Sequence, residues 1–296
     1  MNIRHFVFTS FRGNCRYLFV AALVVLSGFT VGNGNIALAQ GAGDLIVAPT
    51  RIVLQGRERT AQLTLLNKGT APATYRISAI NMRMDDDGTV HEIEKPDPGQ
   101  NFATKLFRYS PRQVTLQPGA AQAIRILLRK PKDLADGEYR SHMFFRGVPD
   151  NAGDSVEKKD TGDGIAVRLI PVYGISIPVI IRNGKTDMTV SMSGLQVLQP
   201  DDANVLPRLR FQINRQGNRS AFGDLVATYQ AANGGDVVIG QLMRLAVYTP
   251  NAHRTVEMQL RVPDGVQLNG GKIKLAYKET VEDGGKMMSS TEFTLP

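Results

Sequence analysis

The sequence is a succession of short segments in which apolar residues alternate with polar ones, and turn-forming residues bound each segment. Seven such segments lie between residues 44 and 182: DLIVAPTRIVL, TAQLTLL, ATYRISAINMRM, KLFRYSPRQVTL, AQAIRILL, EYRSHMFFRGV and IAVRLIPVYGISIPVII. Alternation with a period of two, closed by glycine, proline, asparagine or aspartate, is typical of β-strands. Seven strands at this spacing predict an all-β sandwich.

A second series of β-segments follows the turn-rich stretch RNGKTD, residues 182–187. It consists of MTVSMSGLQVL, RLRFQIN, FGDLVATYQ, DVVIGQLMRLAVY, RTVEMQLRV, GKIKLAYKET and SSTEFTL. We therefore predict two consecutive sandwich domains, residues 40–183 and residues 184–296. Pro49 interrupts the first segment of the chain. Since proline cannot donate to a β-ladder, Pro49 predicts an edge strand or a strand that changes sheets there.

The N-terminal 39 residues have the composition of an export signal. Three arginines precede the apolar run Tyr17–Val31, and Ala37–Ala39 form a small-x-small cleavage site. This pattern predicts a signal peptide, residues 1–39, with cleavage before Gln40; an uncleaved N-terminal anchor is the alternative. The single cysteine, Cys15, would leave with the signal, so we expect an exported protein without disulfides.

The sequence offers little catalytic chemistry. It contains no metalloprotease, nucleophile-elbow, phosphate-binding or dinucleotide-binding motif, so we expect no enzyme activity, no cofactor and no metal. The three consecutive aspartates Asp85–Asp87 precede Gly88 and lack the spacing of a calcium loop, which favours a solvated hairpin turn with Gly88 at positive φ. The formal net charge of +8 is not concentrated in lysine or arginine runs, so we expect no nucleic-acid partner.

Two features require a specific explanation. Arg51 lies inside the first β-segment, where a guanidinium that cannot lose its proton needs a partner. Farther along the chain, a polar Gly/Asp-rich stretch leads into an unusually long β-segment whose first residues, Ile165, Val167 and Leu169, share one face. An exposed strand of this kind favours pairing with another protein, whereas an internally covered last strand is the alternative. For Arg51, the alternatives are an internal carboxylate or contact with solvent.

These segments resemble the periplasmic pilus (fimbrial) assembly chaperones of Gram-negative bacteria, the P-pilus chaperone family. PTRIVLQG is similar to the first strand of that family, and TAQLTLLNKGTAPATYRISA to its next pair of strands. SPRQVTLQPGAAQAIRILL and EYRSHMFFRGVP resemble two later family segments, and the polar stretch and alternating strand follow in the expected order. The resemblance covers most of residues 44–182, whereas residues 184–296 match the family by architecture alone.

The resemblance implies two immunoglobulin-like β-sandwich domains and a periplasmic location. It also implies that the seventh strand completes the unfinished fold of a pilus or fimbrial subunit, with Ile165, Val167 and Leu169 as the inserting residues. Arg51 would bind the C-terminal carboxylate of that subunit. An outer-membrane usher would be a further partner, and the free protein could cap itself as a homodimer.

The chain departs from the family pattern at one position. The family places a lysine beside the cleft arginine near the end of the seventh strand, whereas LIPVYGISIP contains no basic residue. Arg51 could therefore act alone, or another basic residue could replace the lysine. Two further functions remain open at this point: an exported structural surface protein of the pilus-subunit or adhesin type, and an envelope module that binds polyanions.

Overall fold

The computed structural model describes residues 44–149, 172–200, 205–231, 235–263, 266, 268 and 270–295. Within these ranges the regular structure is β-strand, apart from 3-10 structure at Asp44 and at Val281–Asp283. In the first half of the chain the strands are β1 (Leu45–Ala48), β2 (Ile52–Leu54), β3 (Thr60–Asn67), β4 (Ala73–Ile80), β5 (Met82–Met84), β6 (Val90–Glu92), β7 (Phe107–Ser110), β8 (Gln113–Leu116), β9 (Ala121–Leu128), β10 (Gly137–Val148) and β11 (Gly174–Asn183). In the second half they are β12 (Met188–Leu198), β13 (Arg208–Gly217), β14 (Ala221–Gln230), β15 (Asp236–Val247), β16 (His253–Gln259), β17 (Lys272–Glu279) and β18 (Met287–Thr294).

The first sandwich packs one sheet of order β1-β3-β9-β7 against a second sheet of order β2-β11-β10-β4-β8. Most neighbouring strands are antiparallel, but β2 and β11 are parallel, with Ile52 opposite Val179 and Leu54 opposite Ile181. Inward-facing residues of both sheets, among them Leu63, Ile126 and Phe145, form one buried core. The all-β sandwich predicted from alternation is confirmed.

The second sandwich packs a sheet of order β12-β13-β16 against a sheet of order β15-β14-β17-β18. Its core is separate from the first and includes Phe211, Leu225, Leu275 and Tyr277. The hydroxyl of Tyr277 donates a hydrogen bond of 2.8 Å to the carbonyl of Leu245, which satisfies its polar end inside the core. Together the two cores confirm the predicted fold class of two consecutive immunoglobulin-like sandwiches.

Prolines divide two of the predicted segments. The chain changes sheets between β1 and β2, at Pro49, which confirms one of the two possibilities predicted for that residue. KLFRYSPRQVTL was predicted as one strand, and this is wrong: it splits at Pro111 into β7 and β8, which lie in different sheets. Because Pro111 has no N–H, the ladder of β7 cannot continue through it.

A small hairpin, β5–β6, projects from the first sandwich toward the second. Its turn contains Asp85–Gly88, with Gly88 at φ 91°, as the sequence predicted for a hairpin turn. The backbone carbonyl of Asp86 accepts a hydrogen bond of 2.7 Å from the N–H of Thr255, and the Asn251 side chain donates one of 2.9 Å to the carbonyl of Met84. The hairpin therefore joins the two sandwiches.

Candidate functional site

Arg51 lies in the short link between β1 and β2. Ile52 and Leu54, on either side of Val53, point into the first core, whereas Val53 packs against a third apolar cluster. Strand alternation gives Arg51 the same face as Val53, on the outside of the first core. That face is not exposed to solvent: the third cluster combines Ile180 of the first sandwich with second-sandwich residues, namely Phe222, Ala246 and Tyr248. We refer to this space between the sandwiches as the cleft.

The guanidinium of Arg51 is held by the second sandwich. Its Nη1 donates a hydrogen bond of 2.8 Å to Oδ2 of Asp283, and its Cζ lies over the Phe222 ring, 4.1 Å from the ring centre. Only 6% of the Arg51 side chain is exposed, and Nε has no partner among the described residues. Thr280 also donates to Oδ2 of Asp283. An internal carboxylate, one of the alternatives for Arg51, thus occupies one edge of the guanidinium.

A second arginine lies deeper in the cleft. Arg140 on β10 pairs in register with Ile180 of β11, which in turn is opposite Val53 of β2, so the three residues share the cleft face. Its guanidinium stacks 4.2 Å from the centre of the Tyr248 ring, and the residue is 2% exposed. None of its three guanidinium nitrogens has a hydrogen-bond partner in the described residues. Burial lowers the pKa of Arg140, an effect that Tyr248 and Glu138 oppose.

The burial of the Arg140 charge costs more free energy than its observed contacts return. A desolvated cation–π contact contributes about 2 kcal/mol, whereas an unpaired charge taken out of water costs several kcal/mol. The stack on Tyr248 therefore does not offset the burial of the charge. Burial also raises the pKa of the Tyr248 phenol, while Arg140 and Arg51 lower it, so both cations act on the same ring.

His142 is the next residue after Arg140 on the cleft face of β10. It is opposite Pro178 of β11 and is 4% exposed, and its Nδ1 has no partner in the described residues. Burial, with a further contribution from the neighbouring Arg140, lowers the pKa of His142 to about 3. His142 is therefore neutral at physiological pH, and the positive charge on this face of β10 belongs to Arg140.

A buried ion pair lies at the end of the cleft. Oε2 of Glu138 accepts a hydrogen bond of 3.2 Å from Nε of Arg182, and the Glu138 side chain is fully buried. Nη1 of Arg182 also donates to Oε1 of Gln55 at 3.1 Å. The other oxygen of Glu138 accepts hydrogen bonds from the backbone N–H and hydroxyl of Ser220. Burial lowers the pKa of Arg182, and Glu138 opposes this effect. The cluster ties β10, β11 and Gln55, the residue after β2, to the second sandwich.

The comparisons with known proteins identify the family. The model of the pili and flagellar-assembly chaperones, PapD N-terminal domain, matches residues 44–182. Over residues 44–182, the first sandwich, the chain is a divergent member of this chaperone family. Similar solved structures include the YadV chaperone, at 13% identity over 85% of this chain and 100% of that chain, with a TM-score of 0.44. The comparison with curated protein sequences finds no match.

Two further solved structures show the same low identity. Pseudomonas aeruginosa CupB2 chaperone is 14% identical over 85% of this chain and 100% of that chain, with a TM-score of 0.41. A Salmonella enterica SafA pilin in complex with the SafB chaperone includes a chain that is 14% identical over 85% of this chain and 96% of that chain, with a TM-score of 0.39. Family membership gives this protein a chaperone role in pilus assembly and points to a non-enzymatic function. It does not favour the surface-protein or polyanion-binding alternatives.

Some of the sites predicted from the sequence lie outside the residues that the structure describes. Ile165, Val167 and Leu169 lie there, as does the predicted signal peptide, residues 1–39. In the described ranges, no group of three or more histidine, cysteine, aspartate or glutamate residues could hold a metal ion. The described part of the chain also contains no helix long and apolar enough to cross a bilayer.

Sequence reasoning missed three polar residues of the cleft in this chaperone. Glu138, Arg140 and His142 occupy every second position of β10, whereas Met143 and Phe145 face the first core. The polar alternation was visible in the sequence, but it is also the pattern of a strand with one solvated face. A strand buried on both faces can show the same alternation as a strand with one solvated face. Here β10 is buried on both faces because the second sandwich covers the face that carries the polar residues.

Proposed function

We propose that this chaperone binds and caps pilus, fimbrial or related surface subunits by donor-strand complementation. The donated segment is the one that leads into β11, with Ile165, Val167 and Leu169 occupying pockets of the subunit. Main-chain pairing supplies affinity in such an interaction, and side chains at alternate positions set the register. The family match extends through this segment and supports the proposal.

The observation that carries the proposal is an open edge on β11 that ends at Arg51. β10 pairs with the whole of β11, but β2 pairs with Val179–Ile181 alone. In the described part of the chain, Gly174–Pro178 therefore have pairing on one side only. A subunit strand added here in the direction of β11 would be collinear with β2. Its last residue would lie beside Arg51, where a guanidinium can bind a terminal carboxylate.

Asp283 acts in this scheme as an internal competitor. It holds Nη1 of Arg51 in the chain without a subunit, so an incoming carboxylate either displaces it or binds the remaining edge of the guanidinium. The unpartnered Nε of Arg51 belongs to that remaining edge. The internal ion pair keeps the buried cation neutralised until a subunit arrives.

The cellular setting follows from the same proposal. The signal peptide, residues 1–39, directs the chain to the periplasm, and an outer-membrane usher receives the chaperone–subunit complex. The open edge of β11 also provides a surface through which free chaperone caps itself as a homodimer. The reaction requires neither a cofactor nor covalent chemistry.

Co-purification from periplasm tests the proposal. Wild type, Arg51→Ala and a Val167→Ser/Leu169→Ser variant are isolated, and bound proteins are identified by mass spectrometry. We expect a β-rich surface subunit with wild type and its loss from both variants. Arg57→Ala is the matched control, because Arg57 is exposed and only six residues away. A subunit retained equally by every variant would rule out strand donation.

A further inference from the structure

Two arginines form a like-charge pair on the outer face of the first sandwich, outside the cleft. Arg76 of β4 and Arg146 of β10 are directly opposite each other in register, and both side chains are exposed. Neither forms an ion pair with another described residue. Like charges directly opposite each other on a sheet are destabilising. An anion bound beside this pair would therefore relieve a repulsion that is present in the free chain.

The strands around the arginine pair supply no carboxylate to neutralise it. β4, β8 and β11 contain neither aspartate nor glutamate. The one acid of β10 is Glu138, which lies in the cleft and pairs with Arg182. At the rise of a β-strand, Glu138 is on the order of 25 Å from Arg146 along β10. The pair is thus separate from the cleft, and its positive charge is available to a partner.

The arginine pair lies in register with the open edge of β11. Arg146 is opposite Gly174, where the stretch of β11 begins that has a neighbour on one side only among the described strands. Ile175 and Ile177 pack against the first core, so position 174 belongs to the outer face, as Arg146 does. A strand added to this edge would therefore place one side chain in the row formed by Arg76, Arg146 and Gly174.

Gly174 leaves this row open between β10 and the added strand. It has no side chain of its own, and a Cβ there would overlap the ring of Phe144. Phe144 is opposite Ser176, two positions along the same face, so its ring leans over Gly174. An arginine lays its methylene stem along apolar surface and keeps the guanidinium in water. The Phe144 ring thus offers a surface along which Arg146 can reach the added strand, two strand spacings or about 10 Å away.

We propose that Arg146, with Arg76 behind it, selects subunits whose added strand carries an acidic side chain opposite Gly174. A carboxylate at that position accepts charge-assisted hydrogen bonds from the guanidinium and relieves the repulsion between the two arginines. The side chains on either side of it in the added strand point to the opposite face, so the selection acts on a single position. This inference rests on the proposed strand addition to β11 and adds the chemistry of the partner.

Peptides that carry an acid at different positions test the selection. Short N-acetylated peptides of alternating threonine and valine are made with glutamate at each position in turn, and each is matched by the corresponding glutamine peptide. We expect glutamate to bind wild type up to about fivefold more tightly than glutamine at one position, with no difference at the positions next to it. The preference should fall as the ionic strength rises, because the contact is exposed to solvent.

Charge reversal assigns the preference to Arg146. Arg146→Gln should abolish the preference for glutamate, and Arg146→Glu should transfer it to a peptide with lysine at the same position. Arg125→Glu is the matched control, because Arg125 is an exposed strand residue in the other sheet of the same sandwich and undergoes the same charge change. This control should keep the wild-type preference. Arg146→Glu should also fold with an unchanged or higher Tm, because it places opposite charges in register with Arg76.

The outcomes separate this inference from strand addition itself. Equal binding of glutamate and glutamine at every position, or a preference that survives Arg146→Gln, would overturn the role of Arg146 while peptide binding still supported strand addition. Equal loss of the preference in Arg125→Glu would show that net charge alone determines it, and would also overturn the inference. Absence of binding by every peptide would count against strand addition, and against this inference with it.

Discussion

Glu138→Gln tests whether the buried ion pair at the end of the cleft holds the two sandwiches together. Glu138 is fully buried and Arg182 is 8% exposed, with 3.2 Å between Oε2 and Nε. Glutamine keeps the size of the side chain and one acceptor oxygen but removes the negative charge. Arg182 would then have Gln55 as its hydrogen-bond partner and no anionic partner in the described residues, and Arg140 would lose its nearest favourable charge.

The expected loss of stability is large because the remaining charge stays buried. Removing one partner of a buried ion pair costs about 3–5 kcal/mol, and we expect about 3 kcal/mol here because glutamine preserves part of the hydrogen bonding. For a protein of this size, about 3 kcal/mol lowers Tm by roughly 6–12 °C. Arg182→Met in the same background should recover part of the loss, since it removes the orphaned cation.

Urea and thermal unfolding measure this effect directly. Glu292→Gln is the matched control, because Glu292 pairs with Lys272 at 3.2 Å on the surface, where both side chains are about half exposed. Surface pairs contribute less than about 1 kcal/mol, so Glu292→Gln should leave the unfolding midpoint almost unchanged. Equal, small losses for Glu138→Gln and Glu292→Gln would refute the reasoning that burial determines the strength of this contact.

Three further predictions concern the cleft and the hairpin that borders it. His142, with its pKa lowered to about 3, remains neutral in the folded chain, while the same histidine in the unfolded chain takes up a proton near pH 6.5. The free energy of unfolding should therefore fall as the pH decreases below about 6.5. His142→Gln should reduce the slope of unfolding free energy against pH, between pH 6 and 5, by up to about 1.4 kcal/mol per pH unit. Gly88→Ala should lower stability by about 1–3 kcal/mol in denaturant unfolding, because φ is 91° and the new Cβ would overlap the guanidinium of Arg254. Asp283→Asn should raise affinity for a carboxylate probe about fivefold in titrations, because it removes the charge that competes for Arg51.

Each of these predictions has a control in the chain. His91 is exposed, so His91→Gln should preserve the pH slope of the buried histidine. Gly119 has φ 71° and open space around its would-be Cβ, so Gly119→Ala should show the backbone strain without the overlap. Glu282 is the exposed neighbour of the competing aspartate, and Glu282→Gln should leave probe affinity unchanged. Identical behaviour of a variant and its control would contradict the corresponding prediction.

Much of the fold could be predicted because strand formation is a local property. Seven runs in the second half of the sequence correspond to β12–β18, and Gly88 takes the positive φ that its turn requires. Pro49 marked the sheet change next to Arg51 because the missing N–H of proline has the same consequence in any fold. Pro111 carried the same signal, but its strand break was not anticipated. The arginine itself was identified because a guanidinium within an apolar run needs a partner wherever the run is buried.

The cleft could not be predicted in the same way because its residues are distant in sequence. The sequence by itself determined the strands, the turns and the presence of an arginine that needs a partner. The tertiary structure decided that Asp283, 232 positions away in sequence, forms an ion pair with that arginine. It also decided that Phe222 and Tyr248 cover the outer face of β2, β11 and β10. Period-two alternation is the same for a strand facing water and a strand facing another sandwich, so packing alone made Arg140 a buried cation.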